Sequence, residues 1–201
     1  MKSGICLQTM PKRKRATSSA VISPASTTPI FLPGALEPSA QLAERFAASS
    51  PYTHLRLPAL FDESALLAVR QELGVLQSTF KETDLFKLYQ TGDLAALDAD
   101  NPEHVAALPT TLALRAALYS DRFRSFVRAV TGCAPLTDKQ DCSCNQYKRG
   151  GHLLCHDDVI GTRCVSYILY LSRPGKKWRP QLGGALELYA LSANGEVLPS
   201  P

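Results

Sequence analysis

The sequence lacks an apolar run long enough to cross a bilayer, the apolar core of a secretory signal, and any acidic residue in its first 36 positions. A membrane-spanning helix needs about 20 predominantly apolar residues, so no such segment is expected. Without a secretory signal, an oxidising compartment is not expected either, and the six cysteines are predicted to be reduced thiols.

Charge is unevenly distributed along the chain, whose formal net charge is +4. The acid-free first 36 residues hold five of the 22 basic residues, which leaves 17 basic against 18 acidic residues in the remainder. The remainder is therefore close to neutral, and the +4 does not indicate an extended nucleic-acid-binding face. Residues 1–35 are rich in Ser, Thr, Pro and Ala and are predicted to be a disordered tail.

A compact basic cluster, residues 11–15 (PKRKR), lies inside this tail. It is typical of a nuclear import signal, and the alternative is a solvated charge cluster. The acid-free, Ser-containing composition also fits an organellar transit peptide. Because the basic residues are clustered, a location in the nucleus and/or the cytoplasm is favoured over an organelle. Direct nucleic-acid binding through this cluster stays an alternative, and its salt dependence would reveal it.

The order of elements, helices first and strands later, predicts an α+β domain over residues 36–201. Its parts are a helical layer over 36–132, a β region over 133–189 and a tail over 190–201. Ser39 and Asp62 are expected to cap helices. Further helices are predicted over residues 109–118 and 121–130, and strands over 52–57, 142–147, 163–171 and 184–189.

The candidate site is the H-x-D pair His156 and Asp158, which directly precedes the strongest strand pattern. On an extended segment residues i and i+2 share a face, so an imidazole nitrogen and a carboxylate oxygen converge, whereas the adjacent Asp157 points away. Two His and one carboxylate on one face of an octahedron bind iron(II) in the non-haem oxygenases. Alone the pair is common by chance, and a surface histidine in an acidic turn is the alternative.

The cysteine-rich region between residues 133 and 164 suggests a rival metal site. A zinc-binding module could use Cys142, Cys144, Cys155 and His156. The spacings contain no C-x-x-C pair, and Cys142 and Cys144 are one residue apart, so partly buried thiols are the simpler interpretation.

Several blocks of sequence, in order, resemble the eukaryotic prolyl 3-hydroxylases that modify a small-subunit ribosomal protein, a family of Fe(II)- and 2-oxoglutarate-dependent dioxygenases. The resemblance runs from about residue 52 to residue 189. The blocks are residues 83–94 (TDLFKLYQTGDL), 121–126 (DRFRSF), 153–158 (LLCHDD), 167–171 (YILYL) and 183–189 (GGALELY). The first two fall in what the resemblance implies is the helical region.

The resemblance implies a double-stranded β-helix, a jelly-roll relative, with N-terminal helices packed on it. It implies Fe(II) bound by His156 and Asp158, with 2-oxoglutarate, O2 and ascorbate as further cofactors. Tyr170 matches the tyrosine that contacts the distal carboxylate of 2-oxoglutarate, and Tyr147 is expected to line the pocket; core packing is the alternative for Tyr170. The implied partner is a protein substrate, a ribosomal protein, in translation.

The sequence departs from this family late in the chain. No His follows His156 and no Arg follows Arg179, so the distal His and the carboxylate-binding Arg have no counterpart. About half of the β-helix strands are also without a counterpart. A fragment of a longer enzyme is the simplest expectation, and a catalytically incomplete, regulatory or binding form is the alternative.

Overall fold

A computed structural model of the chain describes residues 5–9, 29–158, 161–172, 178–199 and 201. It contains helices and strands in the order that follows. They are β1 Ile5–Thr9, α1 Ala40–Ala47, β2 His54–Leu57, α2 Glu63–Glu72, β3 Ser78–Glu82, β4 Phe86–Thr91, α3 Pro102–Ala107, α4 Pro109–Leu118, α5 Asp121–Thr131, β5 Asn145–Gln146, β6 His152–Leu153 and β7 Val165–Leu169, with short 3-10 helices at Leu94–Ala96 and Pro180–Leu182.

Side-chain caps fix where the main helices begin. Ser39, Asp62 and Ser120 each accept a hydrogen bond from a backbone N–H in the first turn of α1, α2 and α5. Serine and aspartate satisfy N–H groups that have no partner inside the helix. Gly132 ends α5 in the left-handed conformation, at φ 65°. The helices predicted over residues 109–118 and 121–130 are confirmed, and their ends differ from the prediction by no more than one residue.

The described strands form two antiparallel sheets. In the first, the backbone of β1 lies between β2 and β7. In the second, β4 is central, with β3 on one edge and both β5 and β6 on the other. Helices and antiparallel sheets therefore share the domain, which confirms the α+β class.

The hydrophobic core lies between the helices and one face of the first sheet. Leu55 and Leu57 of β2 are buried while Arg56 between them is exposed, as the alternation of a strand requires. On the helical side, Phe123 contacts the ring of Phe31 at 5.8 Å and meets Tyr167 of β7 edge to face at 5.8 Å. This packing attaches β7 to the helices and fixes which of its faces points away from them.

Three predictions about local structure differ from the fold. Residues 83–94, placed in the helical region by the resemblance, contain strand β4, because Phe86–Thr91 pairs along its length with β3. Residues 184–189 do not form a strand, and Gly183 and Gly184 both have positive φ there. The tail also differs from its prediction: Ile30 is buried in the core, and the backbone of Ile5–Thr9 is a strand.

Two other expectations concern where in the cell the protein acts, and whether it spans a membrane. The basic cluster at residues 11–15 lies outside the described residues, so its role stays a prediction. Over the part of the chain that the structure describes, no helix combines the length and the apolarity needed to span a bilayer.

Candidate metal and cosubstrate site

The site lies at the end of an interrupted strand. Along the same edge of β4, Asn145 and Gln146 pair with Gln90 and Tyr89, and His152 and Leu153 then pair with Lys87 and Phe86. Residues 147–151 are thus an insertion opposite one residue of β4. Beyond β6, the N–H of Leu154 still donates to the carbonyl of Leu85 at 2.9 Å, so the sheet supports the segment up to the H-x-D pair.

His156 and Asp158 come together as the sequence predicts. His156 Nε2 lies 3.2 Å from Asp158 Oδ1, and His156 Nδ1 lies 2.7 Å from the carbonyl oxygen of Leu154. The Leu154 carbonyl therefore accepts the Nδ1 proton, which leaves Nε2 as the nitrogen that can bind an ion. Both side chains are about one third exposed, at 32% and 29%, so the pair can be reached from solvent.

The reason for this convergence differs from the predicted one. The segment from Leu154 to Asp158 is not a regular strand, and Asp158 has a left-handed backbone with φ 56°. Aspartate is one of the few residues other than glycine that adopts this conformation readily. A turn at Asp158, and not the pleat of a strand, brings the carboxylate back to the imidazole.

Arg163 forms the third contact of this cluster. Its Nη1 lies 3.4 Å from Asp158 Oδ1, and its Nη2 lies 3.2 Å from Asp141 Oδ2. The guanidinium thus spans two carboxylates, one that precedes β5 and one that follows β6, and its side chain is largely covered, at 23% exposure. The H-x-D turn is attached through Arg163 to the segment that leads into β5.

Tyr170 lies just past the end of β7, on the face that points away from the helices. Val165, Tyr167 and Leu169 pack against the core, and Leu171 does so as well. The alternation therefore continues past the strand and places Tyr170 on the other face, where it is 39% exposed. Core packing, the alternative interpretation of this tyrosine, is not what the structure shows.

Tyr147 is the first residue of the inserted loop that separates β5 from β6 and is 45% exposed. Burial of part of its ring raises the pKa of the phenol, and a hydrogen bond with Asn145 partly opposes this shift. The loop closes through a hydrogen bond from the Gly151 N–H to the carbonyl of Lys148 at 2.8 Å. Tyr147 therefore stands where the loop leaves the sheet.

The cysteines are not arranged as the rival zinc site would need. Among the residues that the structure describes, no three His, Cys, Asp or Glu side chains are grouped so that they could hold one ion. Cys142 lies partly buried beside the hydroxyl of Tyr167, and its desolvation raises the pKa of the thiol to about 11, while Cys155 is exposed. Cys142, which packs against the core, and exposed Cys155 thus lie in different surroundings and not in one shared cluster.

The donor atoms of His156 and Asp158 fit two of the positions around an iron(II) ion. Donors on adjacent corners of an octahedron with bonds of about 2.1 Å lie about 3 Å apart. The observed separation of 3.2 Å matches this value as well as that of a hydrogen bond. One neutral imidazole and one carboxylate are also two of the three ligands of the facial triad.

Comparison with known proteins points to the same region. The family model described as the 2OG-Fe(II) oxygenase superfamily matches residues 142–200, which include the H-x-D turn and β7. The chain is 50% identical over 142 residues to prolyl 3,4-dihydroxylase OGFOD1 of Ostreococcus tauri, covering 70% of this chain and 28% of that protein. The chain is therefore similar in sequence to this prolyl hydroxylase, and its residues 142–200 match the oxygenase superfamily.

Two animal relatives extend this likeness. The chain is 32% identical over 152 residues to the Xenopus laevis prolyl 3-hydroxylase, covering 75% of this chain and 27% of that protein. It is 34% identical over 140 residues to the mouse enzyme, covering 69% and 23%. The chain spans about a quarter of the length of the curated relatives it matches.

Sequence reasoning missed Arg163. Its contact with Asp158 depends on the left-handed turn at Asp158, which no periodicity indicates. One signal was present: Arg163 is the one basic residue between His156 and Arg173, directly before a strongly β-type segment. A lone arginine five residues after a candidate carboxylate ligand is a reasonable candidate partner for it.

Proposed function

We propose that this chain supplies the first two iron ligands of an Fe(II)- and 2-oxoglutarate-dependent hydroxylase that acts on prolyl residues of a protein. The observation that carries the proposal is the 3.2 Å approach of His156 Nε2 to Asp158 Oδ1 inside the region that matches the oxygenase superfamily. The names of the relatives, prolyl 3-hydroxylase and prolyl 3,4-dihydroxylase, supply the reaction class.

In this account each residue of the cluster has a defined task. The Leu154 carbonyl holds the Nδ1 proton of His156, so that Nε2 faces the ion, and the left-handed turn aims the Asp158 carboxylate at the same place. Bound iron with 2-oxoglutarate and O2 supplies the oxidising chemistry that puts a hydroxyl group on a prolyl carbon.

Tyr170 is the proposed contact for the cosubstrate. Its position on the face of β7 that points away from the helices, and its exposure, support the assignment. A phenol can donate a hydrogen bond to the distal carboxylate of 2-oxoglutarate. Tyr147, the residue directly after β5, is proposed to line the pocket that binds 2-oxoglutarate.

Further parts of the proposal rest on the resemblance to the family. They are a double-stranded β-helix built around the described sheets, a small-subunit ribosomal protein as the substrate, ascorbate as a reductant, a link to translation, and a nuclear and/or cytoplasmic location. The basic cluster at residues 11–15 supports the nuclear part of this address.

The test is product analysis with the native protein that contains this chain. Purified protein is incubated with Fe(II), 2-oxoglutarate, ascorbate and ribosomal proteins, and mass spectrometry scores prolyl residues that gain one oxygen atom. We expect a modified proline that depends on 2-oxoglutarate and disappears with His156→Ala. His152→Ala, a histidine four residues earlier in the paired strand β6, is the matched control and should retain the product.

The competing role is a binding or regulatory form without turnover. It becomes the better account if the native protein gives no oxygenated proline although it binds Fe(II) and 2-oxoglutarate. Equal product from wild type and His156→Ala would instead contradict the ligand assignment.

A further inference from the structure

The H-x-D turn has one charged neighbour that the proposed reaction does not use, the guanidinium of Arg163. It contacts Asp158 Oδ1 through Nη1 at 3.4 Å and Asp141 Oδ2 through Nη2 at 3.2 Å. The planar fork of arginine suits two acceptors held at a fixed angle, whereas the single ammonium group of lysine does not. Asp141 is well exposed and Arg163 is largely covered, so the contact anchors a surface segment to the turn.

We infer that Arg163 is a positioning residue, which holds the Asp158 carboxylate in the orientation that binds the metal. This inference rests on the proposed function. Asp158 Oδ1 accepts from Arg163 and also lies 3.2 Å from His156 Nε2, so the same oxygen is shared between the anchor and the ion site. A carboxylate oxygen has two lone pairs and can serve both.

The backbone at this point explains why an anchor is needed. Asp158 sits in the left-handed region, a conformation with a small energetic cost that the surroundings must stabilise. On the other side of the turn, Arg163 leads directly into β7, whose inner face packs in the core. The arginine therefore connects a strained turn to the rigid part of the fold.

Two physical effects of Arg163 on metal affinity have opposite signs, which makes the inference testable. A cation close to the site repels a divalent ion, so charge alone predicts tighter binding when Arg163 is neutralised. Positioning predicts weaker binding, because outer-sphere partners of ligands are typically worth about tenfold or more in metal affinity.

The experiment is a titration of the native protein that contains this chain with Mn(II), a redox-stable divalent ion, followed by the electron paramagnetic resonance signal of the free ion. Arg163→Lys keeps the charge but cannot span both carboxylates, and Arg163→Met removes both. We expect both variants to bind Mn(II) about tenfold more weakly than wild type. Arg122→Met is the matched control, because Arg122 pairs with Glu37 at 3.2 Å in an exposed ion pair of the helical layer, and its affinity should equal that of wild type.

Two further measurements separate positioning from a general loss of fold. Thermal unfolding without metal should be nearly the same for Arg163→Lys and wild type. A double-mutant cycle on Mn(II) affinity with Asp141→Asn, which removes the other carboxylate that Arg163 contacts, should give less than the sum of the two single effects, whereas independent effects would add.

The outcomes distinguish this inference from the proposal beneath it. Unchanged Mn(II) affinity in Arg163→Lys, or tighter binding in Arg163→Met, overturns the positioning role while the ligand pair stands. No Mn(II) binding by wild type, or binding that His156→Ala and Asp158→Asn leave unchanged, overturns the metal site and the positioning role together.

Discussion

At the scale of single residues, Asp158 carries several constraints at once. It has a left-handed backbone, it lies 3.2 Å from His156, and it accepts a hydrogen bond from Arg163. Its H-x-D spacing is visible in the sequence, and so the candidate ligands could be predicted. The turn that brings them together could not be predicted, because no periodic pattern in the sequence indicates an aspartate in the left-handed region.

This conformation decides which substitution tests the carboxylate. Asparagine tolerates the left-handed region about as well as aspartate, whereas alanine does not. Asp158→Asn should therefore keep the turn and remove the charge, and we expect metal binding to be lost with thermal stability nearly unchanged. Asp157→Asn, the neighbouring position, should bind metal normally; equal loss in both variants would argue against Asp158 as the specific ligand.

Tyr170 gives a second prediction at this scale. Tyr170→Phe removes the phenol oxygen but keeps the ring. The lost hydrogen bond contributes about 1 kcal/mol to the binding of 2-oxoglutarate, so the apparent KM for 2-oxoglutarate should rise several-fold while kcat changes little. Kinetics of the native protein at varied 2-oxoglutarate measures it. An unchanged KM would remove Tyr170 from the cosubstrate site.

The cysteines give a prediction with a defined pH dependence. Burial raises the pKa of Cys142 to about 11, so at pH 8 only about one thiol in a thousand is a thiolate. Alkylation with iodoacetamide, read by peptide mass spectrometry, should therefore modify exposed Cys155 much faster than Cys142 at pH 8. The rate at which Cys142 is alkylated should rise as the pH approaches 11. Fast modification at pH 8 would contradict the partly buried position of this thiol beside Tyr167.

At the scale of elements, the helices follow from sequence more directly than the strands. Ser39, Asp62 and Ser120 are local signals, and each does cap a helix. The strands of the second sheet depend on pairings far apart in the chain, such as Gln90 with Asn145, which no local pattern specifies. Two predictions about strands are wrong: the resemblance places Phe86–Thr91 in the helical region, and the local pattern predicts a strand over residues 184–189.

The N-terminus of α4 is capped by a side chain that belongs to α2. α4 begins at Pro109, and the residue before it, Leu108, has no side chain that can cap the helix. Glu72 at the end of α2 accepts hydrogen bonds from the N–H groups of Thr110 and Thr111 and from the Thr111 hydroxyl. Glu72→Ala should lower the free energy of unfolding by about 2 kcal/mol, because Thr111 is fully buried and would lose its acceptor. Urea denaturation measures it, and Glu72→Gln, which keeps an acceptor oxygen, should cost less.

The inserted loop before β6 needs a glycine. A Cβ on Gly151 would lie 2.9 Å from the carbonyl oxygen of Lys87 and 3.0 Å from that of Lys148, so the backbone would have to move. Gly151→Ala should lower the free energy of unfolding by about 2 kcal/mol and weaken metal binding, because the loop leads into the H-x-D turn. Gly92→Ala, where a Cβ meets nothing within 4 Å, is the control; equal stability of the two variants would contradict the account.

At the scale of the whole molecule, the helical layer and the first sheet form one core, and the site lies beyond it on the second sheet and the turn before β7. The α+β class could be predicted because the sequence contains both helical and strand patterns, although strands β1 to β4 are interspersed among the helices instead of following them. The sheet topology could not, because β1 joins β2 and β7 from far away in the chain. Arg70 of α2 adds a link across this core by donating to the carbonyl of Leu171 at 3.2 Å, next to Tyr170.

The most direct test of the central claim is anaerobic absorption spectroscopy of the native protein with Fe(II) and 2-oxoglutarate, in which the chelated pair gives a visible charge-transfer band. The account predicts that the band appears with wild type and Asp157→Asn and is absent with His156→Ala and Asp158→Asn. A band of equal intensity in Asp158→Asn, or no band in the wild-type protein, would contradict the assignment of His156 and Asp158 as iron ligands.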